Sequence, residues 1–181
     1  MKASGNDIFY DLGCGRAQLC VLAVIEFGVK RAVGIELHRG RTRKARDYVR
    51  RAGLSGRIEI RQEDFHESDL RHATIVYTGL MEEDRDMSDY EKKLTRGCRL
   101  VTLSLPLVGV MPYAYDYPFY LMKIPFRKTR SASEWISTVL SKKKATMIEF
   151  FEEVHNDPDY RQDKRTLKSL MRTRFGVRTF L

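Results

Sequence analysis

Apolar residues in the first two thirds of the chain fall into short runs separated by longer, mixed stretches. Five short runs are predicted strands, and the run over residues 73–78 is nearly all apolar or β-branched, as in a buried parallel sheet. These runs are residues 8–12, 32–36, 57–61, 73–78 and 99–105. Three intervening stretches carry helix start or stop signals and are predicted helices. They are residues 16–27, 39–52 and 88–97, the last opened by Ser88 with Glu91 three positions on, as in a capping box.

The pattern then changes to two further strands, predicted over residues 108–114 and 119–126 and joined by a tyrosine-rich turn. Strands that alternate with helices form a parallel sheet, whereas two strands joined by a short turn are antiparallel. The predicted fold is therefore α/β: a Rossmann-like, seven-stranded, mostly parallel sheet with one reversed strand. The helix over residues 16–27 is apolar nearly all round, which predicts that both of its sides are covered.

A second domain is predicted after this core. Residues 1–126 form the core, and residues 127–181 form a helical extension with helices over 134–140, 146–155 and 158–174. The net charge of the whole chain is +9, and the extension holds 13 Lys or Arg against 7 Asp or Glu, a net charge of +6. A basic extension of this kind favours nucleic acid or another acidic partner.

Several classes of protein and site are disfavoured by the composition. The three cysteines, Cys14, Cys20 and Cys98, have no CxxC spacing, which argues against zinc and disulfides. The histidines have no metal-ligand spacing, so no metal site is predicted. No apolar run is long enough to span a membrane. We therefore expect a protein of the reducing cytoplasm, or one associated with the nucleoid.

The motif with the most chemical content follows the first strand. Asp11, Gly13 and Gly15 stand at alternate positions, and Gln18 replaces the third glycine of a dinucleotide-binding GxGxxG. One acid, Glu36, ends the second strand, and another, Asp64, follows the third. With these acids, residues 8–126 resemble the class I S-adenosylmethionine-dependent methyltransferases.

The resemblance implies S-adenosyl-L-methionine as cofactor and S-adenosyl-L-homocysteine as product. Asp11 would balance the ligand's positive charge, Glu36 would accept both ribose hydroxyls, and Asp64 would accept from the adenine amino group. Gly13 and Gly15 would allow close approach of the backbone. The implied cofactor-binding residues are Asp11, Gly13, Cys14, Gly15, Glu36, Leu37, Asp64, Phe65 and Tyr77. A simple turn role for Asp64 is the alternative.

The residues after the fourth strand bear on the acceptor. The Asn/Asp-Pro-Pro-Tyr/Phe motif of base-amino methyltransferases is replaced here by Tyr77-Thr78-Gly79, and no cysteine has the Pro-Cys context of cytosine-C5 enzymes. The run from Asp7 to Gly15, with Gly34-Ile35-Glu36 and Ser104-Leu105-Pro106, is similar to non-SET protein-lysine methyltransferases of the disruptor-of-telomeric-silencing type and their small archaeal relatives. The helical segment that usually precedes the first strand of that branch and helps to cover the cofactor does not precede Ile8. Either the chain has been trimmed, or the predicted helices of the extension lie where that segment would.

The resemblance implies methylation of lysine side chains on proteins, including DNA-associated or histone-like ones. Tyr77, Thr78 and Ser104 are the catalytic candidates, since residues after strands four and five face the acceptor position. Tyr113, Tyr115 and Tyr117 are candidate walls of a lysine channel, with core packing as the alternative for each. Two other functions remain open: an RNA methyltransferase, or a catalytically weak cofactor-binding module that binds nucleic acid.

Two basic stretches are candidate nucleic-acid contacts. The first is the helix from Arg39 to Arg51, and the second runs from Lys164 to Arg178. A merely solvated face is the alternative for the first, and packing of its apolar stripe on the core or on a second subunit is expected for the second. Phosphate contacts would make binding weaken as salt rises.

Overall fold

A computed structural model describes residues 2–79, 87–103, 106–116, 118–131 and 134. Nearly all of these residues belong to one compact unit, Met1–Arg127. Ser104, Tyr117, residues 80–86 and the predicted helices of the extension lie outside the described residues. The division into a core of residues 1–126 and an extension of residues 127–181 therefore stays a prediction.

A seven-stranded sheet organises the described part of the chain. Its strands are β1 Ile8–Leu12, β2 Arg31–Ile35, β3 Ile58–Arg61, β4 Ile75–Thr78, β5 Arg99–Leu103, β6 Ala114–Asp116 and β7 Phe119–Lys123. Their order is β3-β2-β1-β4-β5-β7-β6. The first five strands pair in parallel, and β7 runs antiparallel to both β5 and β6. The predicted fold class, with a single reversed strand, is confirmed.

Within the described residues, three helices accompany the strands: α1 Gln18–Ile25, α2 Arg39–Arg51 and α3 Met87–Lys93. Residues of α1 and α2 pack in one apolar cluster with Ala32 and Ile58, whereas Tyr90 and Leu94 join a second cluster with Tyr10 and Leu12. Because side chains alternate across a strand, α1 and α2 cover one face of the sheet, and the stretch from α3 to Leu94 covers the other.

The first or last residues of several predicted elements are wrong. The predicted strand over residues 108–114 is instead the three-residue β6, because Gly109 turns the chain with a φ of 76° and Pro112 has no N–H to donate. The other strand of this pair, β7, ends at Lys123 rather than at residue 126. Helix α3 begins at Met87, so Ser88 lies inside the helix rather than at its N-cap.

The outer side of α1 also differs from the prediction. Leu19, Leu22 and Ile25 recur at helical spacing and are exposed, although both sides of this helix were expected to be covered. Its inner side, which includes Cys20 and Val24, is buried against the sheet.

The amino ends of the parallel strands are held by a polar cluster around Asp7. Its carboxylate accepts hydrogen bonds from the Thr74 hydroxyl (2.8 Å) and the Ser4 amide (2.7 Å), and it pairs with the Arg99 guanidinium. Burial opposes ionisation of Asp7, but these donors outweigh it and lower the pKa of the carboxyl to about 2. This cluster is structural, and it leaves the opposite edge of the sheet, where the parallel strands end, for a ligand.

Candidate active site

A glycine loop leaves β1 at its carboxyl end. Gly13 and Gly15 have φ values of 80° and 56°, in the left-handed region where a side chain is strained. The N–H groups of Gly13 and Cys14 both donate to the carbonyl of Ile35, each at 2.9 Å. The loop is therefore fixed against the end of β2, the position that a nucleotide occupies in open α/β sheets.

Glu36 follows β2 and closes this loop from the other side. Its side chain is buried; one oxygen accepts from the Gly15 N–H (3.1 Å) and the other from the His38 N–H (2.8 Å). A carboxylate has about four lone-pair sites, so two backbone bonds leave capacity for two ribose hydroxyls. Leu37, the next residue, is 66% exposed. An apolar side chain in water at this position is suited to pack on a flat base.

Asp11 lies in β1 directly beneath the loop, and its residue is only 2% exposed. Burial raises the pKa of its carboxyl to about 7; the Cys20 thiol, 3.9 Å away, lowers this pKa, and the charge of Glu36 raises it further. No Lys or Arg among the described residues forms an ion pair with Asp11. The geometry therefore fits the cationic amino acid part of the expected ligand.

Gly34 is a site residue whose role was not predicted from the sequence. A Cβ at this position in β2 would lie 2.7 Å from the Cys14 sulfur and 2.9 Å from Cδ1 of Ile60. The glycine loop can therefore pack on β2 only because Gly34 has no side chain. Glycine inside a strand was the available signal for such a close approach. Burial also raises the pKa of the Cys14 thiol to about 12, so this cysteine is neutral and serves in packing.

The segment after β3 holds the two predicted adenine contacts. Oδ1 of Asp64 accepts from the His66 N–H at 2.8 Å, and Phe65 is half-buried against the core cluster around Tyr10. The turn role considered for Asp64 is therefore present, and a bond to adenine would use its second oxygen. The ammonium of Lys93 in α3 donates to the carbonyl of Phe65 (3.4 Å) and contacts that of His66. This link across 28 residues had no signal in the sequence.

Tyr77 and Thr78, the two described catalytic candidates, point to opposite faces of the sheet. The register aligns Tyr77 with Asp11 and Thr78 with Leu12, so Tyr77 shares the face of the cofactor residues. Thr78 is 0% exposed, and its hydroxyl has no hydrogen-bond partner in the described part of the chain. The geometry favours Tyr77 over Thr78 as a residue that a ligand could contact, and the role of Ser104 stays a prediction.

Tyr113, a candidate wall of the lysine channel, follows β5. Tyr113 is exposed, and the Arg99 charge reaches its hydroxyl; burial raises the pKa of that hydroxyl and Arg99 lowers it. Because Arg99 begins β5 beside the Asp7 cluster, Tyr113 lies near the amino ends of the strands rather than at the site. Among the described residues, no three His, Cys, Asp or Glu side chains gather as a metal ion would require.

Comparison with known proteins identifies the family. A model of the ANTKMT methyltransferase domain matches residues 11–114, which include the glycine loop, Glu36, Asp64 and all of β4 and β5. The chain belongs to the ANTKMT methyltransferase domain family. It is an S-adenosylmethionine-dependent methyltransferase, and the predicted enzyme class and cofactor are confirmed.

Two relatives support this family assignment. A protein-lysine N-methyltransferase of Saccharolobus islandicus (strain REY15A) is 36% identical over 113 residues, which cover 61% of this chain and 70% of that protein. The solved structure of an RNA methyltransferase from Salinibacter ruber, in complex with S-adenosyl-L-homocysteine, has a TM-score of 0.63 and 27% identity; the likeness covers 70% of this chain and 86% of that one.

A more distant likeness concerns the fold alone. Geranyl diphosphate C-methyltransferase from Streptomyces coelicolor A3(2) has a TM-score of 0.50 at 22% identity, over 56% of this chain and 40% of that one. Proteins with very different acceptors thus share the sheet of the ANTKMT domain, and the acceptor has to be argued from the site.

Proposed function

We propose that this methyltransferase transfers methyl groups from S-adenosyl-L-methionine to lysine side chains of proteins. The 36% identity to a protein named protein-lysine N-methyltransferase supports the acceptor class. The observation that carries the cofactor site is the buried Asp11 carboxylate, which lies under the glycine loop with no cationic partner among the described residues.

Different residues of the site would bind different groups of the cofactor. Asp11 would neutralise the ligand's ammonium group, and the Glu36 carboxylate, already oriented by two backbone N–H groups, would accept the ribose hydroxyls. Leu37 and Phe65 would pack on the adenine, whose amino group would donate to Asp64. Gly13, Cys14 and Gly15 would supply the close backbone wall. When bound, the cofactor supplies an electrophilic methyl group on a sulfonium.

The acceptor amine must be neutral before it can react. A free lysine amine has a pKa of about 10.4, and a desolvated surrounding lowers it. Tyr77 provides an aromatic surface on the cofactor face of β4, and its ring lies 6.4 Å from that of Phe119. The site thus excludes water from the acceptor amine and positions it for methyl transfer. The proton of the amine leaves to solvent before that transfer.

A competing function is methylation of RNA, which the likeness to the Salinibacter ruber enzyme favours. The basic helix α2 bears on it, because Arg39, Arg43, Lys44 and Arg51 are exposed. However, Arg46 donates to the carbonyl of Ile60 (3.0 Å), and Arg50 pairs with Asp47 (2.9 Å). Part of the positive charge of α2 therefore has a structural role, which weakens the case for a phosphate-binding face.

The test is methyl transfer with the full chain, S-adenosylmethionine carrying a labelled methyl group, and two acceptors offered together. One is a mixture of lysine-containing peptides, and the other is total RNA. We expect label on lysine, located by mass spectrometry, and its loss in a Glu36→Ala variant. Label found only in RNA would contradict the proposed acceptor. Transfer to neither acceptor, with cofactor binding retained, would favour a binding module.

A further inference from the structure

The cofactor face of the sheet continues beyond Tyr77 towards the reversed strand. Tyr77 is in register with Val101 of β5, and Leu103, two residues later on the same face, is in register with Phe119 of β7. Phe119 is in turn aligned with Asp116 of β6. Facing residues of paired strands point to the same side, so Asp11, Tyr77, Phe119 and Asp116 share one face of the sheet. Phe119 and Asp116 lie two residues nearer the ligand edge than Tyr77, and the four residues form an oblique row on this face.

Two members of this row present their side chains to solvent. Phe119 is 44% exposed, although it is a large aromatic residue, and Asp116 is exposed beside it. Tyr77 is half-buried, with its ring 6.4 Å from that of Phe119 and tilted by 55°. The row therefore passes from a buried carboxylate through two aromatic rings to a carboxylate in water.

We propose that Tyr77, Phe119 and Asp116 form the acceptor subsite, which binds a cationic side-chain amine of lysine type on a protein. This inference rests on the proposed function and adds where the acceptor enters and what recognises it. Asp116 attracts the ammonium at the outer end, and the rings of Phe119 and Tyr77 hold the amine and its aliphatic stem. Aromatic faces attract alkylammonium groups within about 6 Å.

The separation of Asp116 from Tyr77 allows the subsite to attract a charged amine and still let it react in its neutral form. A carboxylate next to the reacting amine would favour its charged, unreactive form. Adjacent strands lie about 4.8 Å apart, and Asp116 lies on β6, three strands from Tyr77 on β4. Asp116 therefore acts on the amine as it arrives, while the amine loses its proton farther in, between the rings of Phe119 and Tyr77.

The same row disfavours a polyanionic acceptor. An exposed carboxylate at the outer end repels a phosphate backbone, whereas it attracts a lysine-containing peptide. The subsite thus distinguishes between the two acceptor classes that share this fold, and it does so through Asp116, which is not among the implied cofactor-binding residues.

The test compares Asp116→Asn and Phe119→Leu with an Asp89→Asn control, which removes an exposed carboxylate from α3 away from the row. A lysine peptide is titrated calorimetrically into the full chain saturated with S-adenosyl-L-homocysteine, and KM and kcat for the peptide are measured in parallel. We expect each row variant to weaken peptide binding and raise KM by about 3- to 30-fold, the range for a cation–π contact or a desolvated charge. Cofactor affinity and the control should stay unchanged, and Phe119→Tyr should retain binding.

Three outcomes would overturn the inference. If the wild-type chain methylates lysine while both row variants bind the peptide with unchanged affinity, the subsite is wrong and the proposed function stands. If the variants lose cofactor affinity to the same extent as peptide affinity, the row serves the fold or the cofactor rather than the acceptor. A wild-type chain that neither binds nor methylates the peptide would contradict the proposed function and the subsite together.

Discussion

The charge state of Asp11 should control cofactor affinity in the neutral pH range. The carboxyl lies beneath the glycine loop with a pKa of about 7, raised by burial. The ammonium group of the bound ligand stabilises the ionised form and lowers that pKa, so binding expels a proton wherever Asp11 is protonated beforehand. Affinity should therefore rise with pH through 7 and level off above it.

The magnitude follows from the fraction of chains in which Asp11 is ionised. With a pKa of about 7, that fraction is about one tenth at pH 6 and about nine tenths at pH 8. If only the ionised form binds strongly, the dissociation constant at pH 6 is about tenfold that at pH 8, or about 1.4 kcal/mol. The ligand's own α-amino group also titrates, and its titration has to be separated from this effect.

The assay is isothermal titration calorimetry with S-adenosyl-L-homocysteine between pH 6 and pH 8.5, in two buffers of different ionisation enthalpy. The buffer pair counts the protons released on binding. An Asp11→Asn variant keeps the ligand's titration and loses that of the protein, so the difference between the two profiles belongs to Asp11. We expect proton release near pH 7 in the wild-type chain and none in the variant.

Parallel profiles for the two proteins would refute this reasoning. Asp11 would then already be ionised in the free chain, and burial would not control its charge. Equal affinity of the wild-type chain and the variant at pH 8 would go further and remove Asp11 from the list of ligand contacts.

The remaining predictions concern the cofactor pocket and the amino edge of the sheet. Glu36→Ala should weaken cofactor binding by about 1–3 kcal/mol, and an unchanged calorimetric Kd would contradict the ribose role. Gly34→Ala should destabilise the fold by about 1–3 kcal/mol through overpacking against Cys14; an unaltered Tm in scanning calorimetry would show that the loop can shift freely. Asp7, with a pKa of about 2 in the folded chain, should contribute about 2 kcal/mol of stability above pH 4 that is lost as the pH falls towards 2. The free energy of unfolding of Asp7→Asn, measured by urea titration, should lack this dependence on pH. The same dependence in both proteins would contradict the stabilising role of the Asp7 cluster. Arg43→Gln should reduce the salt dependence of RNA binding if α2 contacts phosphates. In filter-binding assays, the same slope of RNA affinity against salt concentration in both proteins would show that Arg43 faces solvent rather than a phosphate.

The parts of the fold that the sequence predicts well are those set by local patterns. Apolar runs separated by helices require a parallel sheet, and parallel strands bring their carboxyl ends to one edge. The glycine loop, Glu36 and Asp64 follow strands, so their proximity could be predicted without knowledge of any contact.

The features that the sequence did not reveal depend on register and packing. The contact of Gly34 with Cys14 requires that the loop fold back over β2, and the link from Lys93 to the Phe65 carbonyl joins elements 28 residues apart. Thr78 was a reasonable candidate by position, but strand alternation buries it on the face away from Asp11. Which face of β4 carries the ligand follows from its register with β1, which aligns Thr78 with Leu12 and Tyr77 with Asp11.

Asp7, just before β1, and Asp11, within β1, change their charge at different pH values, so activity is lost at a higher pH than structure. Asp7 resists protonation until the solution is strongly acidic, whereas Asp11, four positions along, takes up a proton near neutrality. A cell or compartment that acidifies from pH 8 to pH 6 would thus release the cofactor from a chain that stays folded. Activity lost in this way should return in full on neutralisation, so β1 gives the enzyme a reversible dependence on acidity well above the pH at which it unfolds.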